Sequence, residues 1–375
     1  MLCLFQKIKK IKTLILLWFN PIFNHRYVLH NYLKGVHFSP LSFKEITRKI
    51  KQNPFKLFYL IPFYFVLRFL DELERHFKIK FKNNYKFYIF WRLFKNKIDI
   101  PYFELVLTTR CTLNCESCNN LMQYFNKEKA YTASLNGILE TLNALFNQID
   151  TVRIVRVIGG EPLIFKHLAE LVDFLNQNQK VITFDIVTNA TLLPNEKLLK
   201  AMQRAKNKMN VSISDYSLSP NLNIPLKQKQ LQNLLKEYAI PFQISLQNKD
   251  DLWIDPGRIY PRKRNKKEIV ENFKNCLMPC VSVMSNEGLN HFSGGGGLFL
   301  CPIASSLSRL ENIQQFEGDF VLLNEHLTDY DLLAFYAQDF FKCCDYCHDM
   351  KKPKKYIPIA IQTKEVLKIE NPRST

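Results

Sequence analysis

Residues 102–118, YFELVLTTRCTLNCESC, join an apolar run to three closely spaced cysteines. YFELVLTT (102–109) has the continuous apolar pattern of a strand that is buried in a parallel sheet. Cys111, Cys115 and Cys118 follow it within eight positions. The carboxyl end of a buried parallel strand is the place where α/β proteins hold their ligands. The spacing therefore predicts a ligand-binding loop at the end of a first strand.

The chain after this loop alternates between strand and helix patterns, with short links between them. This alternation predicts a parallel sheet with crossover helices, and its length of about 150 residues suits a full or partial (β/α)-type barrel. The predicted strands are 102–109, 151–159, 181–189, 210–214 and 241–247, and the predicted helices are 133–148, 165–177, 195–205 and 226–238.

Ten cysteines in 375 residues raise the question of disulfides or metal. Nine of them lie in short groups, and the apolar content of 47% is large enough for an ordinary core. Secreted disulfide scaffolds are short and have small cores, so the grouping indicates metal or iron–sulfur ligands in a reducing compartment. The grouped positions are Cys111, Cys115, Cys118, Cys276, Cys280, Cys301, Cys343, Cys344 and Cys347.

The first three cysteines are one ligand short of a closed tetrahedral zinc site. Three thiolates suit a 4Fe-4S cluster in which one iron keeps an open position for a ligand that is not protein. A structural zinc site with a distant fourth ligand is the alternative.

Two further motifs follow the next two predicted strands. IGGEP (158–162) ends the second strand and TNA (188–190) ends the third. Together with CTLNCESC (111–118), they resemble, in order and position, the motifs of the radical S-adenosylmethionine (SAM) superfamily. Ser117 departs from that pattern, because the family has an aromatic residue before the last cysteine that covers the adenine.

The resemblance implies a partial (β/α)6 barrel over residues 101–260 and a 4Fe-4S cluster that cleaves SAM to a 5′-deoxyadenosyl radical. It implies that Gly159 and Gly160 let backbone approach the ligand and that Glu161 accepts hydrogen bonds from its ammonium group. The ribose hydroxyls are expected to contact Asn189 and Ser212 or Ser214. The resemblance also implies a reductant such as flavodoxin or ferredoxin.

Plainer interpretations exist for these side chains. GGEP is also a common tight turn, and Asn189 is a suitable helix cap. Ser212 and Ser214 fit ordinary strand positions. Asp215 is a candidate proton acceptor from a substrate radical, or a turn or cap residue.

The later cysteines form a second group. Fifteen residues separate Cys280 from Gly296, and four separate Gly296 from Cys301. This spacing resembles the opening of the twitch and SPASM auxiliary-cluster domains, which places such a domain at 270–350. The resemblance implies a second 4Fe-4S cluster, with a zinc ribbon as the alternative. The implied ligands are Cys280, Cys301, Cys344 and Cys347, with Cys276 and Cys343 as possible substitutes, and 281–300 is expected to form a hairpin.

Residues 1–100 differ from the rest in charge. They hold 20 Lys and Arg against 5 Asp and Glu, a net charge of +15 within a total of +18. They also hold 23 of the 49 aromatic residues. A helical cap, a grip on an anionic substrate or contact with the inner membrane face fits this composition. Aromatic density and the lack of a known module argue against nucleic acid.

No apolar stretch reaches the roughly 20 residues that a spanning helix needs. The basic break at 261–268 is predicted to be a solvated loop or linker, and 351–375 a tail. We therefore expect a cytoplasmic radical SAM enzyme, whose only membrane contact would be peripheral, at the inner face. Its expected substrate is a small molecule, namely a cell-surface glycan or a lipid-linked or nucleotide-linked sugar, with a peptide as the alternative. A non-catalytic iron–sulfur electron carrier is the rival from another class.

Overall fold

The computed structural model describes residue 54 and residues 97–245, 252–276, 281–289, 295–338, 340–353 and 355–370. Most of the basic region 1–100, and Cys280, lie outside the described residues. None of the helices within these ranges is both long and apolar enough to cross a membrane.

The chain alternates between strands and helices from Asp99 to Ser245, at close to the predicted bounds. Each strand is followed by a helix that returns the chain to the start of the next parallel strand. The strands are β1 (Asp99–Val106), β2 (Thr151–Ile158), β3 (Val181–Thr188), β4 (Met209–Ser214) and β5 (Phe242–Ser245), and the helices between them are α1 (Leu135–Gln148), α2 (Leu168–Gln177), α3 (Glu196–Ala205) and α4 (Gln228–Glu237).

The first five strands lie side by side in chain order, all parallel. This is the α/β class, with the parallel central sheet of a partial barrel that the sequence predicts. One face of the sheet is apolar and fully buried, as Phe103, Val155 and Phe184 show. Its burial is the main stabilising contribution of this part of the chain.

The other face of the same strands carries a row of polar side chains. Glu104 pairs in register with Arg156, Arg156 with Asp185, and Asp185 with Asn210. We call these four residues the polar row. Alternate residues of a strand point to opposite faces, so Tyr102 and Ser212 share the face of the polar row.

The sheet continues past β1 with three later strands. β7 (Ser282–Ser285) pairs in parallel with β1, and β8 (Gly296–Phe299) and β9 (Phe320–Leu323) add antiparallel strands beyond it. β7 and β8 form the antiparallel pair expected over 281–300. The sixth parallel strand therefore lies beside the first strand, and the second cysteine group is built onto the main sheet.

Three helices pack around the second cysteine group. They are α5 (Lys266–Asn275), α6 (Pro302–Leu310) and α7 (Asp329–Ala337). Asn265 caps α5 with a reciprocal capping box to Glu268. The basic segment 261–268, predicted to be a solvated loop, therefore contains the start of a helix. That prediction is wrong in its second half because the capping signal lies within the run of basic residues.

The predicted tail is part of the fold. β10 (Tyr356–Pro358) pairs antiparallel with β6 (Leu252–Ile254) in a separate two-stranded sheet. Residues 359–363 continue from β10 onto the cysteine loop, where Cys115 and Gln362 form an isolated bridge. We call residues 252–255 together with 355–363 the cover ribbon.

Candidate functional site

The three predicted motifs meet at one edge of the sheet. The cysteine loop follows β1, GGEP follows β2 and TNA follows β3. These strands are parallel neighbours, so their carboxyl ends lie together. The register alone brings Cys111, Glu161 and Asn189 into one site.

Each of the three sulfurs has hydrogen-bond donors near it. Cys111 Sγ accepts the Leu113 N–H at 3.5 Å and the Asn189 amide at 3.7 Å. Cys115 Sγ accepts from the side-chain amide of Gln362 at 3.2 Å. Backbone N–H groups of the turn after Cys118 donate to its sulfur. Donors of this kind stabilise a thiolate and tune the potential of a bound iron–sulfur cluster.

The three thiols are neighbours, with Cys115 buried and Cys111 and Cys118 half-buried. Burial raises the pKa of Cys111 and Cys118, and it raises the pKa of Cys115 to about 12. The other thiols of the trio add to the rise at Cys111 and Cys115 because negative charges repel. Ionised thiols at this loop therefore need a cationic partner, and a metal centre supplies one.

Within the described ranges, no group of three or more His, Cys, Asp or Glu side chains is drawn together as the ligands of a single metal ion. In a 4Fe-4S cluster each thiolate binds its own iron, so the thiols need not converge on one point.

Glu161 ties the end of β2 to the end of β3. Its side chain is fully buried, at 0% exposure. Oε1 accepts from the Thr188 hydroxyl at 2.8 Å and the Leu163 N–H at 3.1 Å, while Oε2 accepts from the Asn189 N–H at 2.9 Å. Burial raises the pKa of this carboxyl, and the three hydrogen bonds oppose the rise. The predicted contact of Glu161 with an ammonium group stays a prediction, and the side chain already has a structural role.

Gly159 and Gly160 lie against the backbone that leads into the cysteine loop. A Cβ on Gly159 would stand 2.7 Å from the Thr108 carbonyl oxygen, and one on Gly160 would stand 2.1 Å from that of Arg110. The Gly160 N–H also donates to the Thr108 carbonyl at 2.7 Å. The missing side chains therefore make room for the chain's own backbone, whereas the sequence suggested room for a ligand.

Replacing Gly160 with alanine is expected to destabilise the fold by roughly 1–3 kcal/mol, because a backbone carbonyl cannot move aside. Urea unfolding measures the loss. Gly318→Ala is the control, since its Cβ would meet nothing within 4 Å and the change adds only the strain of a positive φ of 91°. Equal losses in the two variants would contradict the close approach at Gly160.

Asn189 holds the end of β3 against the cysteine loop. Its amide donates to Thr112 Oγ1 at 3.1 Å and to Cys111 Sγ, and its oxygen accepts from the Thr191 N–H at 3.0 Å. The residue does not cap the next helix, because Asn195 caps α3. Its predicted contact with a ribose stays a prediction.

The three candidates at the end of β4 have protein partners. Ser212 Oγ donates to Asp185 Oδ2 and accepts from Gln243, both at 3.0 Å, so it belongs to the face of the polar row. Ser214 hydrogen-bonds the Tyr216 phenol. Asp215 Oδ1 accepts from the Ser217 N–H at 2.9 Å, which is the geometry of a turn residue.

Asp215 is held as a carboxylate. Burial raises the pKa of this carboxyl, but hydrogen bonds from Gln228 and Ser217 outweigh burial and leave the pKa below its ordinary value. The described contacts thus give Asp215 a structural role, and proton acceptance from a radical stays untested.

Two aromatic side chains near the cysteine loop were missed by sequence reasoning. Tyr216 and Trp253 pack edge to face, with ring centroids 5.6 Å apart. Both pack against a small apolar cluster that includes Leu113 and Cys115, with Cys111 and Cys118 beside it. Ser117 stands where the family pattern has an aromatic residue, and its hydroxyl donates to Asp255 Oδ1 at 2.9 Å. That bond fixes the strand that carries Trp253.

The second cysteine group lines one cavity. The cavity measures about 40 Å³, and its wall includes Cys276, Cys301, Cys343, Cys344 and Cys347. Burial raises the pKa of Cys301 and of Cys347, and the neighbouring thiols Cys344 and Cys276 raise both further. Cys276 is thus within reach of the other thiols, whereas the placement of Cys280, the predicted ligand, lies outside the described residues.

The Cys344–Cys347 turn is clamped by the basic segment before α5. The Asp345 carboxylate accepts the backbone N–H groups of Arg262, Lys263 and Arg264 at 2.9–3.1 Å. The Arg264 guanidinium donates in return to the carbonyls of Cys344 and Cys347 at 3.3 and 2.9 Å. Lys263 is exposed and Arg262 and Arg264 are half-buried, so the segment is partly solvated as predicted while its backbone and Arg264 hold the thiol pair in place.

Cys301 begins helix α6. Its sulfur accepts the N–H of Ala304 at 3.4 Å as the helix N-cap. The positive end of a helix dipole favours a thiolate at this position.

Residues 105–227 match the family model described as the radical SAM superfamily. This segment is a radical SAM domain. It runs from the end of β1 to the residue before α4, and so it contains all three motifs at the sheet edge.

The curated relatives of this segment include two that are named GTP 3′,8-cyclase. The chain is 28% identical over 154 residues to a GTP 3′,8-cyclase of Helicobacter pylori, covering 40% of this chain and 46% of the relative. It is 30% identical over 123 residues to the GTP 3′,8-cyclase of Alkaliphilus oremlandii, covering 32% and 37%. The chain spans less than half the length of these relatives.

The chain is also similar to a methyltransferase and to one solved structure. A 7,8-dihydro-6-hydroxymethylpterin dimethyltransferase of Methanocaldococcus jannaschii is 28% identical over 138 residues, covering 35% of this chain and 26% of the relative. The structure described as native anSMEcpe with bound AdoMet is 23% identical, with a TM-score of 0.27, covering 38% of this chain and 43% of that one. A similarity at that score carries no argument.

Proposed function

We propose that this chain is an enzyme that binds a 4Fe-4S cluster through Cys111, Cys115 and Cys118 and uses it to cleave SAM. The observation that carries the proposal is the set of three neighbouring, largely buried thiols, each with N–H donors at its sulfur, of which Cys111 and Cys115 are harder to ionise beside their neighbours. Such a pocket is costly to ionise when empty, and it suits thiolates that bind a cationic cluster. The radical SAM domain supports the same assignment.

A cluster held by Cys111, Cys115 and Cys118 would supply, when bound and reduced, the electron that cleaves the sulfonium of SAM into methionine and a 5′-deoxyadenosyl radical. The chain's own residues hold the geometry. Glu161 and Asn189 lock the ends of β2 and β3 against the cysteine loop through the contacts described above. Because donors and backbone are already fixed, little reorganisation is needed when the ligands bind.

Tyr216 and Trp253 are our candidates to cover the adenine in place of the aromatic residue that Ser117 replaces. The pair lies against the cysteine loop and presents aromatic surface, on which a purine base stacks favourably. The Ser117–Asp255 hydrogen bond supports this view, because position 117 then anchors the strand of Trp253.

The cavity of the second cysteine group is our proposed site for an auxiliary 4Fe-4S cluster. Its ligands are proposed to be Cys276, Cys301, Cys344 and Cys347, and Cys343 remains a substitute. Cys276 takes the place expected for Cys280 because it lines the cavity and raises the pKa of Cys301 and Cys347. The clamp at residues 262–264 and the helix cap at Cys301 support a pre-formed site.

The polar row and its neighbours are proposed to contact the substrate. Arg156 is held by Asp185 at 3.0 Å and stays about a third exposed, at 36%. Its guanidinium also lies over the Tyr102 ring, 5.6 Å from the centroid. A guanidinium, two carboxylates and hydroxyl groups on one face of the sheet suit a small polar substrate that carries hydroxyl groups, such as a nucleotide-linked sugar. A peptide is the alternative.

A ligand screen tests this substrate class. GTP, nucleotide sugars and peptides are tested as stabilisers of thermal unfolding, on the wild type and on Arg156→Met. We expect a phosphorylated small molecule to raise the unfolding temperature of the wild type and to lose that effect in the variant. Stabilisation by a peptide alone, unchanged in Arg156→Met, would contradict the proposal.

The proposed cleavage of SAM is tested by anaerobic reconstitution of the protein with iron and sulfide, reduction by dithionite and addition of SAM. We expect 5′-deoxyadenosine and methionine in equal amounts, by liquid chromatography and mass spectrometry. A reconstituted, reducible cluster that never yields 5′-deoxyadenosine would instead favour the electron-carrier alternative.

A flavodoxin or ferredoxin as reductant, a cytoplasmic location and peripheral contact through residues 1–100 remain predictions.

A further inference from the structure

The cover ribbon is tied to the cysteine loop by a series of hydrogen bonds. The Glu116 N–H donates to the Ile361 carbonyl at 2.8 Å, and the Thr363 N–H donates to the Asn114 carbonyl at 2.8 Å. The Asn114 side-chain amide donates to the Thr363 carbonyl at 3.0 Å. The ribbon therefore follows the loop closely, although Gln362 comes 248 positions after Asn114 in the chain.

The orientation of the Gln362 amide is determined by its partners. Its oxygen accepts the backbone N–H of Asn114 at 2.7 Å, and a backbone N–H can only donate. The oxygen must therefore face Asn114, which turns the NH2 group toward Cys115 Sγ at 3.2 Å. The same NH2 donates to the Ala360 carbonyl.

Gln362 is itself fixed to the segment after β4. Its backbone N–H donates to Asn221 Oδ1 at 2.8 Å, and its carbonyl accepts from Asn221 Nδ2 at 2.9 Å. Ser219 Oγ donates to the Ala360 carbonyl at 2.8 Å. A side chain held from both sides loses little entropy when it donates to a sulfur.

We propose that Gln362 is a positioning residue that holds Cys115 and raises the reduction potential of the cluster bound there. The inference rests on the proposed function. Reduction adds negative charge to the cluster and its thiolates, and an N–H donor stabilises the more negative state more strongly. A donor on a ligand sulfur therefore makes the cluster easier to reduce.

The test is a redox titration of the reconstituted full-length protein, followed by electron paramagnetic resonance (EPR). The signal that changes when SAM is added separates this cluster from any second one. Gln362→Glu keeps an oxygen for Asn114 but replaces the NH2 donor with an acceptor, and Gln362→Met removes both groups at similar length.

We expect at least a tenfold lower ratio of reduced to oxidised cluster at the same potential in both variants. For a one-electron couple this corresponds to about 59 mV. Thr363→Ala is the control, because its hydroxyl bonds the Glu365 backbone and its removal leaves the Gln362 amide and both Asn221 contacts in place. We expect its potential to stay near that of the wild type. Unchanged potentials in Gln362→Glu and Gln362→Met, or an equal shift in Thr363→Ala, would overturn the proposal.

A second measurement compares the wild type with Gln362→Met, because the Gln123 side-chain amide also lies at the loop, where it donates to the Cys118 carbonyl at 3.3 Å. With ¹⁵N in the glutamine side-chain amides, pulsed EPR of the reduced cluster is expected to show a weakly coupled ¹⁵N nucleus that is absent in Gln362→Met. A cluster that forms, responds to SAM and shows no such coupling overturns the role of Gln362 and leaves the proposed function intact. A protein that assembles no cluster on the three thiols overturns both.

Discussion

Replacement of Cys111, Cys115 or Cys118 with alanine is expected to reduce 5′-deoxyadenosine formation to the level of a protein-free control. Each thiol is one of three ligands, so a cluster with a missing ligand is lost or is bound without the correct open iron. The thiols are largely buried and their pKa values are raised, which means that the surrounding protein does not hold them as thiolates without the metal.

The matched control is Glu116→Gln in the same loop. The Glu116 carboxylate is exposed, and its partner Arg258 is 3.7 Å away and also exposed, so the pair adds little to stability. We expect Glu116→Gln to retain cleavage, and circular dichroism should show all variants folded. Full activity in any one of the cysteine variants would remove that residue from the ligand set.

Cys276→Ala is expected to remove the second cluster and leave the first. The reconstituted wild type should hold about eight iron atoms per chain, and the variant about four, in line with one 4Fe-4S cluster lost. The reason is structural, because Cys276 lies in the cavity wall with Cys301, Cys344 and Cys347. Iron and sulfide analysis, with EPR of the reduced protein, measures the change.

Cys280→Ala is the comparison for this experiment, since sequence spacing points to Cys280 and the cavity to Cys276. We expect Cys280→Ala to keep both clusters. The opposite pattern, with iron lost in Cys280→Ala and retained in Cys276→Ala, would restore the ligand set that the spacing favours. Zinc in place of iron in both variants would instead favour the zinc alternative.

The strands and helices from Asp99 to Ser245 were predictable because each carries its own local pattern. The apolar runs of β1, β2 and β3 indicate burial on a parallel sheet, and the side-chain periodicity of α1 indicates one buried face. The motifs at the ends of these strands then had to meet, because parallel register brings them together. Local pattern and register account for Cys111, Glu161 and Asn189 in one site.

The contacts over the cysteine loop were not predictable in this way. Gln362 lies far from Cys115 in sequence, at the end of a short stretch of alternating isoleucines, and nothing in that local pattern says which loop the stretch will join. The Ser117–Asp255 bond and the Tyr216–Trp253 pair likewise depend on how the cover ribbon folds back. Cys276 was predicted only as a substitute ligand, because spacing along the chain does not reveal which of two nearby thiols faces a cavity.

Glu161 and Gly160 show a related limit of prediction from sequence motifs. A motif indicates that a carboxylate and a small residue are needed, but it does not say for which partner. The fold shows Glu161 accepting hydrogen bonds from β3 and the adjacent turn, and Gly160 lying against the Arg110 carbonyl. The residues were found by sequence, and their immediate contacts required the structure.

The central claim is that three thiolates leave one iron free to bind SAM. EPR of the anaerobically reconstituted, reduced protein with SAM labelled by ¹⁵N at the amine and ¹⁷O at the carboxylate tests it directly. We predict hyperfine coupling of both nuclei to the cluster, which is lost in Cys115→Ala. Zinc at this loop, or a cluster that shows no coupling because a fourth side chain fills the last iron, would contradict the claim.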